Sequence, residues 1–123
     1  VAVLDTGQGR FVCDGTTVVE LGGEIDIATA DQVFAALVTA ASDGCVVVDL
    51  SDVEFIDASG VNALVGAMRT AVRAHHHLAL AAPPAQLTRI LDVLALHAVL
   101  PTHPDVDTAL AAHRSMVPAP RRR

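Results

Sequence analysis

The stretch of the chain best suited to chemistry is Asp57-Ala58-Ser59-Gly60-Val61, which follows the apolar run Cys45-Val46-Val47-Val48-Asp49-Leu50 after an interval of six residues. This order delivers a serine to the start of a helix straight after a buried strand. Unpaired backbone N–H groups and the positive end of the helix dipole favour an anion there. A phosphate ester on Ser59 would be stabilised by both, and Gly60 leaves room for another backbone to approach. The hydroxyl could accept a phosphate without unfolding its own domain. The plainer reading is that Asp57 or Ser59 only caps the helix, a role both residue types fill widely. Asp26, after Leu21-Gly22-Gly23-Glu24-Ile25, can close the next turn.

Other chemistries fit less well. A nucleophile elbow needs Gly-x-Ser-x-Gly and a histidine base; that motif is absent, the chain is short for such a fold, and no motif places a histidine as base. His75-His76-His77 invites a metal, but adjacent side chains on one helix point in different directions and do not close around one ion. A solvated helix end is expected there, and surface positions for His97, His103 and His113. Cys13 and Cys45 sit in apolar runs without metal-ligand spacing and read as buried thiols in a reducing compartment. Glu20, Glu24 and Asp26 form no paired-carboxylate spacing for acid–base catalysis, and no Gly-rich phosphate loop occurs. The expectation is a non-enzymatic protein with no cofactor and no metal.

The totals bound the domain count and the partners. The 123 residues suffice for one domain, and the 52% hydrophobic but 2% aromatic content requires a core of Val, Leu, Ile and Ala. A net charge of −6 without a basic stripe argues against nucleic-acid binding. Arg121 to Arg123, after Val117-Pro118-Ala119-Pro120, read as a solvated tail. No signal peptide and no bilayer-length apolar stretch stands out, so a cytoplasmic protein without membrane contact is expected. The absence of an initiating Met points to processing or trimming.

The elements that must position Ser59 can be read in turn. Arg10 to Cys13 and Thr16 to Leu21, around Asp14-Gly15, predict an opening hairpin. Thr29 and Gln32 have capping-box spacing for a helix to about Ala41, ending before Asp43-Gly44. The continuous apolar run from Cys45 to Leu50 predicts a central strand covered on both faces. A loop with Val53, Phe55 and Ile56 should follow. Val61, Leu64, Val65, Met68 and Val72 then mark one face of a helix beginning near Asp57 to Ser59. Leu78 to Ala82 predicts a strand stopped by Pro83-Pro84, which open a helix with Leu87, Ile90, Leu91 and Leu94 inward. Ala98 to Leu100 suggests a last strand, and Asp105 to Arg114 a terminal helix. The result is an α/β fold: a mixed sheet with an opening antiparallel hairpin, later strands parallel, and about four α-helices mainly on one face. Residues 1–10 form an edge or a disordered segment, 11–114 the domain, and 115–123 a disordered Pro/Arg tail.

Two segments carry a family resemblance. Leu21-Gly22-Gly23-Glu24-Ile25-Asp26 resembles the Leu-x-Gly-Glu-Leu-Asp signature of STAS domains, and Asp49-Leu50-Ser51 with Asp57-Ala58-Ser59-Gly60-Val61 resembles their Asp-Leu-Ser and Asp-Ser-Ser-Gly-Leu signature. With Leu87 to Leu91 and His103 to Leu110, the likeness spans about Phe11 to Ala112. It implies a STAS-type fold and an anti-sigma factor antagonist. Its partner would be an anti-sigma factor with serine-kinase activity, which supplies the ATP site and phosphorylates Ser59. Unmodified protein would hold that partner and free a sigma factor; phosphorylation would release the partner, and a phosphatase could reset the switch. The implied partner-facing residues are Asp26, Asp57, Ala58, Ser59, Gly60 and Asn62; separately from the resemblance, a monomer is the default expectation. Ala58 replaces the family's first serine, Asn62 stands where relatives often have a small residue, and Ala95 stands where many have Gly at the end of the third helix. The alternative is an unphosphorylated STAS module serving as a scaffold or transporter-associated subunit.

Overall fold

The computed structural model describes the backbone of residues 2–5 and 16–116 and the side chains of residues 16–114. In chain order the elements are β1 (Ala2–Asp5), β2 (Thr17–Ile25), α1 (Ala30–Asp43), β3 (Val46–Ile56), α2 (Ala58–Arg73), β4 (Leu78–Ala81), α3 (Ala85–Val93), β5 (Thr102–His103) and α4 (Val106–Met116). The sheet order is β1-β2-β3-β4-β5, with β1 antiparallel to β2 and each later pair parallel. The mixed sheet is as expected, although Ala2–Asp5 makes the antiparallel contact; Arg10 to Cys13 lie outside the described residues. The tail from residue 117 also lies outside them, while α4 runs on to Met116.

The Val-rich run behaves as its composition requires. Val46 and Val48 pack with Leu37, Leu64 and Leu91 in the main core under α1, α2 and α3, whereas Val47 joins Val18, Ala81, Ala109 and Leu110 beneath α4. The central strand is thus covered on both faces, with three helices on one and α4 on the other. Small side chains do much of the fitting. Ala63, Ala67 and Ala71 on α2 are buried, and a Cβ added to Gly66 would come within 2.7 Å of the Phe34 ring on α1.

Several local expectations are corrected. Residues 51 to 56 are strand, not loop, because β3 carries extra residues opposite β2 where the pairing jumps from Glu20↔Asp49 to Gly22↔Asp52 and from Gly23↔Val53 to Glu24↔Phe55. Each irregularity shifts side-chain direction, so Leu50, Val53 and Ile56 are buried at intervals of three rather than two. Ala98 to Leu100 form turns, anchored by Val99 N–H and Leu100 N–H donating to the Leu96 carbonyl; the short strand is Thr102–His103. Val72 and Leu94 are 61% and 56% exposed, because the first lies in the last turn of α2 and the second beyond the end of α3. Thr29 is the N-cap of α1 but makes no side-chain cap bond. Its hydroxyl instead donates to the Glu24 carbonyl at 3.0 Å and accepts the Asp26 N–H at 3.0 Å, fastening the turn before the helix.

α2 and α3 both end with a residue in the left-handed region. At α3, Ala95 (φ 56°) donates to the Asp92 carbonyl and Leu96 to the Leu91 carbonyl, a Schellman closure that keeps the helix from running on. At α2, His75 (φ 62°) takes the corresponding place.

Candidate functional site

β2 and β3 end level with one another. Ile25 lies opposite Ile56 in the parallel ladder and both are fully buried, so the chain leaves both strands at the same edge of the sheet. Carboxyl ends of parallel strands are where open α/β sheets usually bind their ligands. Asp26 leads out of β2 and Asp57 out of β3, and the Asp57 N–H donates to the Ile25 carbonyl at 3.2 Å.

Asp57 is the N-cap of α2. Its backbone is extended, and Oδ1 accepts the N–H of Ser59 at 2.9 Å and of Gly60 at 3.3 Å. Ser59 is the second residue of the helix and is half-buried. The helix start thus differs from the expected open anion site, since the Asp57 carboxylate already takes two of its amides. A phosphate on Ser59 would share that end with a fixed negative charge. Gly60 serves close approach: a Cβ there would stand 2.6 Å from Ile56 Cγ1, 2.8 Å from Ile25 Cγ2 and 3.0 Å from the Ile25 carbonyl oxygen. Without a side chain, the first turn of α2 can sit directly on the ends of both strands.

Asp26 closes the turn into α1. Its Oδ1 accepts the Ala28 N–H at 2.9 Å, and its carbonyl accepts from Thr29 and Ala30. Ala58 and Asn62 are exposed. A shallow groove of about 330 Å³ runs between α1 and the start of α2, lined by Ile27, Ala30, Asp31, Phe34, Ser59, Asn62 and Ala63. Ser59 and Asn62 therefore meet on one surface, with Asp26 and Asp57 in the adjoining turns. Ile27, 82% exposed, and Phe34, 40% exposed, were not foreseen as part of it. Their residue types mark core positions, and only the placement of α1 and of the turn before it leaves them at the groove.

The model of the STAS domain family matches residues 12–109. The chain belongs to the STAS domain family. Solved structures agree with this STAS assignment over nearly the whole chain. An anti-sigma factor antagonist from Mycobacterium paratuberculosis is 28% identical, with 92% of this chain and 93% of that chain covered and a TM-score of 0.78. The Bacillus cell-fate determinant SpoIIAA in its phosphorylated form is 21% identical, with 90% and 98% covered and a TM-score of 0.68. A sulfate transporter family protein from Wolinella succinogenes is 20% identical, with 82% and 86% covered and a TM-score of 0.70. The last two likenesses speak to the fold alone. No curated protein matches the chain.

Elsewhere on this STAS domain, the described residues contain no helix long and apolar enough to cross a membrane. Among them, one set of side chains has metal-ligand chemistry: Cys45, His77 and His113. His113 is buried rather than at the surface, with Nδ1 3.2 Å from the Thr16 hydroxyl. His75 and His76 take no part in the set; His76 instead bonds the Ala41 carbonyl. Cys45 is half-buried, and Cys13 lies outside the described residues.

Proposed function

We propose that this STAS domain is a cytoplasmic anti-sigma factor antagonist, monomeric when free, that holds an anti-sigma factor with serine-kinase activity and is released when Ser59 is phosphorylated. The observation that carries the reading is the position of Ser59 at the second residue of α2, on the rim of a groove that also exposes Ile27 and Phe34. A partner covering the groove would gain apolar contact and would have to cover the Ser59 hydroxyl. Similarity to an antagonist at 28% identity supports the same role.

The physics of release follows from charge. Phosphorylation adds about two negative charges and three acceptor oxygens to a surface the partner must desolvate. Here the new charge would stand beside the Asp57 carboxylate, which already occupies the nearest amides. The phosphate would therefore project toward the partner rather than fold back onto its own helix. Ala58 leaves Ser59 as the single hydroxyl of the motif.

The test is mass spectrometry after incubation with ATP and each anti-sigma kinase of the same genome, with Ser59→Ala as the control. A single phosphate mapped to Ser59 and absent from the control supports the reading. Tight binding without modification would instead assign a constitutive STAS module, the role suggested by the fold's occurrence in transporter proteins.

A further inference from the structure

The sheet has a second end with chemistry of its own. In the parallel ladder Thr17 pairs with Val46 and Val46 with Leu78, so the residues just before these strands, Thr16, Cys45 and His77, stand in adjacent rows at the amino-terminal edge. Backbone bonds hold the rows together: Thr17 N–H donates to the Cys45 carbonyl at 2.9 Å and Val46 N–H to the His77 carbonyl at 2.9 Å. α4 then brings His113 against them. Its ring meets that of His77 edge-on at 5.1 Å between centroids, and ligand atoms of Cys45, His77 and His113 all lie within 4.8 Å of one another.

We propose that Cys45, His77 and His113 bind a zinc-class divalent ion, with a water or another small ligand in the fourth position. One thiolate and two imidazoles match the borderline-soft preference of Zn²⁺, and three protein ligands with an open fourth site form a common zinc arrangement. A tetrahedral ion with bonds of about 2.3 Å to sulfur and about 2.0 Å to nitrogen needs sulfur and nitrogen roughly 3.5 Å apart. Cys45 Sγ and His77 Nδ1 are 3.7 Å apart.

The surroundings also suit a ligated thiolate. The His77 N–H donates to Cys45 Sγ at 3.2 Å, and the Thr16 hydroxyl contacts His113 Nδ1 at 3.2 Å, the kind of outer contact that orients a ligating imidazole. His77 is exposed while His113 is buried, so one side of the site faces solvent. An apolar cavity of about 360 Å³, bordered by Met68, Leu78, Val99, His77 and His113, adjoins it. Binding would displace the Cys45 thiol proton to solvent. Joining β3, β4 and α4, the ion would tie the terminal helix to the sheet at the end away from Ser59.

The experiment uses the full chain, stripped with chelator and titrated with Zn²⁺ by calorimetry and with Co²⁺ by absorption. One ion per chain, with a thiolate-to-cobalt charge-transfer band, is expected. Cys45→Ser should abolish the band, and Cys45→Ser or His77→Gln should weaken Zn²⁺ about a hundredfold, the upper end of what even outer contacts contribute. His75→Gln and His76→Gln should leave both readouts unchanged. Affinity that survives Cys45→Ser and His77→Gln, or that falls with His75→Gln, overturns the site in favour of chelation by the histidine run. No binding at tens of micromolar free Zn²⁺ overturns it outright. His113→Gln is added with a circular-dichroism check, and the two more accessible ligands decide the matter if that variant does not fold.

Discussion

The Asp57 carboxylate accepts the backbone N–H of Ser59 at 2.9 Å, which makes the helix cap and the proposed phosphate acceptor parts of a single turn. The cap can be tested separately from the switch. Asp57→Ala removes the acceptor for two amides and should cost about 1 kcal/mol, whereas Asp57→Asn keeps an oxygen in place and should cost less. Thermal denaturation would show Tm lower by roughly 4 °C for the alanine variant. Equal Tm values for wild type and Asp57→Ala would remove the cap from the account.

Gly60→Ala tests the seat of the helix. Alanine is the better helix former, yet its Cβ would meet both isoleucines that end the strands. Overpacking should prevail and destabilise by about 1–3 kcal/mol. A neutral or stabilised variant in urea titration would mean the strand ends yield easily.

Binding to the proposed kinase partner would separate charge from apolar contact. Ser59→Asp should weaken the complex at least about tenfold, or about 1.4 kcal/mol, by placing a second carboxylate beside Asp57. Ile27→Ser should weaken it by a similar factor while Tm stays within about 1 °C, because so exposed a side chain contributes little to folding. Unchanged affinity in both variants would move the interface off the groove.

Ala95 offers the opposite sign. A Cβ in the left-handed region is strained, and the Schellman closure at α3 prefers Gly at this place. Ala95→Gly should therefore stabilise by roughly 0.5–1 kcal/mol, the relief of strain exceeding the greater freedom of Gly in the unfolded chain. Denaturant midpoints measure this directly.

Acid should loosen α4. Asp105 accepts the Thr108 N–H at 2.7 Å, and this backbone bond, then the Thr108 side chain, hold its carboxyl below the ordinary value. A pKa lowered by folding gives a contribution that is complete above the unfolded value and lost as pH falls through the folded one. Wild type should therefore lose stability relative to Asp105→Asn below about pH 4. Parallel acid titrations for the two proteins would remove this role from Asp105.

Where sequence and structure diverge, the cause is specific. The end of β3 was unreadable because its irregular pairing with β2 changes the burial interval after Leu50, and polar Ser51, Asp52 and Glu54 then look like a loop. The capping-box spacing at Thr29 was real, but Glu24 and Asp26 offered its hydroxyl nearer partners. The helix after Asp57 was legible, since an Asp followed by the apolar stripe Val61, Leu64 and Met68 is a local signal. The use of Asp57 to fill the amides beneath Ser59 was not legible, because Asp and Ser there are equivalent as caps until the backbone is placed.

What the sequence determined by itself was short-range: a Val-rich strand too apolar for one covered face, a helix stripe repeating at helical intervals, and a serine beside a glycine at the join between them. These signals depend on neighbours within a turn or two. The tertiary structure decided the pairing of Ile25 with Ile56, the groove that exposes Ile27 and Phe34, and the meeting of Cys45, His77 and His113. Each of these depends on parallel strand register and helix docking. Both arise from contacts between residues far apart in the chain, and no spacing within one segment encodes them.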